Sequence, residues 1–155
     1  MATDAPLSRL VLRATSVADD LGYVALADLA HVFGKDADYR VIGGHMVTAL
    51  VARWNLGAEL YRETDDTDIG VPPIVIQNGI LINGLKGLGY EQVEGNRFAR
   101  RLTDVPVRIS GDGESARLAT IDVLVGAYTS RPRTNHKVGE LYTTEVPGLP
   151  TALML

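Results

Sequence analysis

The segment Ala119-Thr-Ile-Asp-Val-Leu-Val125 is the strongest constraint on how this chain folds, because it sets a carboxylate in the middle of a β-prone aliphatic run. The pattern predicts a strand from Ala116 to Val125. A carboxylate among aliphatic strand residues is costly to desolvate unless a cation or several hydrogen bonds compensate it. Two kinds of compensation are open. Asp122 is either the partner in a buried salt bridge, with Arg108 or Arg117 as candidates, or one of several acids around a metal ion.

Further acids stand in Arg62-Glu-Thr-Asp-Asp-Thr-Asp-Ile-Gly-Val71. Thr67 to Val71 reads as a short strand, stopped by Pro72 and Pro73. Residues two apart on a strand share a face, so Asp66 and Asp68 aim at one point from backbone positions roughly 6 to 7 Å apart. If Asp122 lies on an adjacent strand, the three acids repel one another, and bound metal resolves the conflict. Oxygen-only ligands suit Mg²⁺ or Mn²⁺, and two such ions about 4 Å apart can activate an attacking oxygen and stabilise leaving pyrophosphate. The competing reading is a solvated acidic loop, which Asp65 beside them favours. An EF-hand is excluded: counting from Asp66, Gly70, Val71 and Gln77 stand where that loop needs an acid, a glycine and a glutamate.

Upstream, Ser16 with Asp19 marks a helix start ahead of Leu21, Val24, Leu29 and Phe33, and Gly34 marks its end. Tyr39 to Ile42 reads as a buried strand running into Gly43-Gly44. Val47, Leu50, Val51 and Trp54 then recur at helical spacing and are expected in the core. A Gly-Gly turn between strand and helix lets phosphate approach the backbone and the free N–H groups of the helix N-terminus. His45 follows, as a phosphate or acceptor contact or equally as a packing residue. Ile74 to Leu88 is ambiguous between helix and strand, with helix preferred, and Gly84-Leu-Lys-Gly-Leu-Gly89 reads as a turn. The second half reads as a β-meander: Val93 to Leu102, Val105 to Ile109 and Ala116 to Val125, with Ser110-Gly-Asp-Gly113 as a hairpin turn. Val138 to Val146 adds a strand or two. Arg97, Arg100, Arg101, Arg131, Arg133 and Lys137 are candidates for a basic rim, or are ordinary solvated charges.

The 155 residues are one domain's worth, and 46% hydrophobic with 22% charged is globular composition. A net charge of -4 argues against a surface that tracks a phosphate backbone throughout, so any nucleic acid would be gripped locally. The absence of cysteine excludes thiolate chemistry and cysteine-based metal sites. No apolar run reaches membrane-spanning length, and a cytoplasmic location is expected.

Ile42-Gly43-Gly44, Asp66-Thr-Asp68-Ile69 and the later Asp122 together resemble the nucleotidyltransferase superfamily of DNA polymerase beta and the minimal nucleotidyltransferases, close to the AbiEii-type toxin branch. The likeness runs from about Tyr39 to Val125. It implies an α/β (α+β) fold, a mixed and twisted sheet with helices mainly on one face, filling 1–155 as a single domain. It implies transfer of NMP from an NTP to a hydroxyl on RNA or tRNA, a protein or a small molecule, with a toxin–antitoxin role and an antitoxin partner as further expectations. Asp66, Asp68 and Asp122 would be catalytic and hold Mg²⁺ or Mn²⁺. Gly43, Gly44, His45 and Thr64 would bind the nucleotide. Two departures stand out: 21 residues separate Gly44 from Asp66, more than in compact members, and Thr67 replaces the usual hydrophobic residue. Members usually carry a further helical region for the acceptor, and the apolar ending Thr151-Ala-Leu-Met-Leu155 suggests a fragment that stops before it. The alternative is a catalytically silent nucleotide-binding or protein-interaction module of the same fold.

Overall fold

The computed structural model describes residues 9–34, 38–103 and 117–154. Helix α1 spans Val17–Phe33. It begins where the sequence marks it, since Ser16 Oγ accepts the Asp19 N–H at 3.1 Å. The Asp19 carboxylate reaches one residue further back, accepting from the N–H and the hydroxyl of Thr15, each at 2.8 Å. Gly34, at φ +66°, closes the helix and donates its N–H to the Ala30 carbonyl.

Strand β1 (Arg40–Val41) leads into helix α2 (Gly43–Arg53), then a single 3₁₀ turn at Ala58–Leu60 and strand β2 (Thr67–Val71). Pro73 occupies the first position of helix α3 (Pro73–Gln77), where a missing N–H costs nothing. Gly79, at φ +74°, separates α3 from helix α4 (Ile80–Gly87). The Ile74–Leu88 segment is therefore helical but broken in two. The expected glycine turn at 84–89 is for the most part the last turn of α4. Gly84 is needed there because a Cβ would drive into Val32 of α1.

The expected single strand over Val93–Leu102 is instead a hairpin: β3 (Glu91–Gln92) and β4 (Arg97–Arg101), with the chain turning between them. Strand β5 spans Leu118–Gly126. The predicted strand Val105–Ile109 and turn Ser110–Gly113 lie outside the described residues. Three short strands follow, β6 (His136–Val138), β7 (Leu141–Thr143) and β8 (Glu145–Val146), then helix α5 (Leu149–Met154).

The main sheet runs β1-β2-β5-β4-β3, with β8 alongside the far end of β5. It is mixed: β2 and β8 are parallel to β5, and the other pairs are antiparallel. Strand periodicity divides its residues between two faces. Thr67, Ile69, Val71, Phe98, Ile121, Val123 and Val125 are buried on one, under Leu21, Ala25 and Leu29 of α1 and Leu81 and Leu85 of α4. Arg97, Asp68, Gly70, Asp122, Leu124 and Gly126 lie on the other. α5 closes only its far end: any side chain at Gly70 would overlap Leu149, and one at Gly126 would meet Pro150. The near end stays open. Trp54 is not in the core. α2 buries the face carrying His45, Thr48 and Val51, which rotates Leu50 and Trp54 outward, Trp54 to 64% exposure.

Candidate metal centre

The three acids meet on the open face. β2 and β5 run in register with Asp68 beside Asp122, and β4 sets Arg97 beside Asp122 on the other side. Same-face neighbours on adjacent strands are within side-chain reach, so Asp68, Asp122 and Arg97 form a row across three strands. Asp66 enters from the bend just before β2. Oxygen atoms of Asp66, Asp68 and Asp122 lie within 4.8 Å of one another.

Local bonds fix this approach to β2. Thr64 Oγ1 donates to Asp66 Oδ1 at 2.9 Å, orienting that carboxylate. Thr120 Oγ1 on β5 donates to the Asp65 carbonyl at 2.8 Å, tying the bend to the neighbouring strand. Gly43, at φ +65°, lies against Asp68, and a Cβ there would overlap Asp68 Oδ2. Gly44 lies against the Thr64 side chain. The first residues of α2 are thus packed directly on the acids and on the threonine that orients one of them. Thr67, where a hydrophobic residue was expected, is fully buried and makes a long hydroxyl contact, 3.5 Å, to the Gly22 carbonyl.

Among the described residues the cation beside Asp122 is Arg97, where the sequence offered Arg117. Its Nε and Nη2 donate to the two Asp122 oxygens at 2.8 and 2.7 Å, and Nη2 also reaches Asp66 Oδ2 at 3.0 Å. This bidentate fork is the strong geometry for arginine and carboxylate. It holds the Arg97 guanidinium firmly protonated, with its hydrogen bonds to Asp122 as the main cause. Arg108 lies outside the described residues. Asp68 receives less help: burial, then repulsion from Asp66 and Asp122, pushes its carboxyl up to about 6, against only a partial offset from Arg97.

Three of the six residues named as candidates for a basic rim are held in ion pairs. Arg97 sits inside the acid cluster, Arg100 faces the helical layer beside Asp28 at 3.4 Å, and Arg133 binds Glu145 at 2.7 Å. His45, the other candidate phosphate contact, is buried on the inner face of α2. Its ring is buried against Gly22 of α1 and 5.9 Å from the Tyr23 ring, where desolvation lowers its pKa.

Three carboxylates against one guanidinium leave two negative charges when all are ionised, a match for one divalent cation. The donor set is all oxygen, as hard cations require. Around octahedral Mg²⁺ adjacent oxygens stand about 3 Å apart and opposite ones about 4.2 Å, so these acids, within 4.8 Å of one another, would draw closer together around an ion. Among the described residues no helix is long and apolar enough to cross a membrane. No protein-family model, curated protein or solved structure matches this chain.

Proposed function

We propose that this chain is a metal-dependent nucleotidyltransferase, moving a nucleoside monophosphate from an NTP to a hydroxyl acceptor with release of pyrophosphate. The observation that carries the reading is the convergence of Asp66, Asp68 and Asp122 next to Gly43, at the start of α2. Asp66 and Asp68 with Asp122 would hold Mg²⁺ or Mn²⁺, which when bound supplies charge stabilisation to the phosphates and to the attacking oxygen. Backbone N–H groups at the start of α2 receive phosphate oxygens, since no side chain at Gly43 or Gly44 bars their approach. Thr64 keeps Asp66 aimed at the centre. The acceptor oxygen forms a bond to the α-phosphorus as the bond to the bridging oxygen breaks, and the hydroxyl proton passes to the Asp122 carboxylate or to water. Arg97 positions Asp122 through its two hydrogen bonds.

One observation favours a second reading, the silent module: Arg97 already satisfies both oxygens of Asp122, as a purely structural ion pair would. The two readings separate on incubation with each α-labelled NTP, Mg²⁺ or Mn²⁺, and total RNA and protein extract. Label in an RNA or protein band that Asp66→Asn abolishes supports transfer. No labelled product with any NTP, from folded protein, refutes it.

A further inference from the structure

A second cavity, of about 510 Å³, lies beside the acids. Its walls are the extended segment before α1, with Arg13, the first turns of α1 with Tyr23, and the approach to β2 at Tyr61, Arg62 and Glu63. Glu63 also lines the cavity containing Asp66 and Arg97, so the two spaces adjoin across one residue. The volume falls in the range of roughly 300 to 1,000 Å³ typical of small-molecule sites.

The lining is chemically specific. Two tyrosines offer flat, partly apolar rings, and two arginines offer guanidinium forks. Neither Arg13 nor Arg62 pairs with a carboxylate among the described residues, whereas Arg97, Arg100 and Arg133 all do. Of the two acids in the lining, Asp19 is already engaged by Thr15. Unpaired guanidinium groups beside aromatic rings suit a ligand with both a phosphate and a planar base.

We propose that this cavity binds a nucleotide unit, its base against Tyr23 and Tyr61 and its phosphate against Arg13 and Arg62. Which nucleotide is meant rests on the nucleotidyl-transfer reading: the base of the donor NTP and the terminal nucleotide of an RNA acceptor share this chemistry.

The test is equilibrium binding in EDTA, where no cation links phosphates to the acids. The probes are the four nucleoside 5′-monophosphates and a short single-stranded RNA with a free 3′-hydroxyl. Arg13, Tyr61 and Arg62 are exposed, so Arg13→Ala, Tyr61→Ala and Arg62→Ala leave the fold intact, with circular dichroism as the control. Each variant should weaken binding about tenfold, the scale of a lost stacking face or phosphate partner, and inorganic phosphate at equal concentration should not compete. Loss on the mononucleotides assigns the cavity to the donor; loss on RNA alone assigns it to the acceptor. The proposal is overturned if neither probe binds in EDTA, or if all three variants bind as the wild type does. The Asp66→Asn/Asp68→Asn pair should abolish transfer yet leave this binding unchanged, so failure of the transfer reading is seen separately.

Discussion

Asp68→Asn separates stability from chemistry. In the folded protein the Asp68 carboxyl titrates at about 6, against an ordinary value of 3.8, because it is partly buried beside Asp66 and Asp122. An acid whose folded-state pKa is raised binds its proton more tightly in the folded state. The stability it contributes is present below the ordinary value and is lost as pH rises through about 6. Two pKa units correspond to about 3 kcal/mol at most, and solvent screening of a half-exposed group reduces this to about 1–2 kcal/mol. Asparagine mimics the neutral carboxyl at every pH. In EDTA at pH 7.5 the variant should therefore melt about 2–8 °C above the wild type. The gap should narrow as pH falls through about 6 and close near 4. Comparing the two proteins at each pH cancels His45, whose lowered pKa makes the fold lose stability with acid in an overlapping window. Millimolar Mn²⁺ with NTP should raise the melting temperature of the wild type and not of the variant. A variant that melts below the wild type in EDTA at pH 7.5, or a gap that ignores pH, would refute the picture of three converging acids.

Other substitutions probe the same arrangement. Arg97→Gln leaves Asp122 without its fork and should cost about 1–3 kcal/mol in EDTA, with Mn²⁺ recovering part of the loss; thermal melts with and without the ion decide this. Gly43→Ala meets both a left-handed φ and the Asp68 carboxylate, so it should lower stability by about 1–3 kcal/mol and weaken Mn²⁺ binding, read by titration calorimetry. Gly22→Ala would gain about 1 kcal/mol by helix propensity alone. Its Cβ collides with the buried His45 ring, so urea melts should show a net loss that adding His45→Ala relieves.

Local order was legible in the sequence because it is written in short-range rules. The Ser16 cap, the Gly34 stop, the strand ended by Pro72-Pro73 and the acids of β2 and β5 follow from side-chain spacing and backbone freedom. Gly43 and Gly44, read as a turn between strand and helix, are instead the first residues of α2, and Asp68 lies against Gly43. Arg97 was overlooked as the partner of Asp122. The signal was present in Arg97-Phe-Ala-Arg-Arg101, where one parity holds a core phenylalanine and the other must face away. Only the register of β4 on β5 brings Arg97 opposite Asp122, and that pairing spans residues far apart in the chain. The same limit explains Trp54 and His45. Helical periodicity names a face but not which face a neighbour will cover. Here α2 docks on β2 and α1 through His45, Thr48 and Val51, and Trp54 is turned to solvent. The sequence by itself determined which elements form and which acids could meet; tertiary packing decided their cation, because strand register and helix rotation are set by contacts between distant segments.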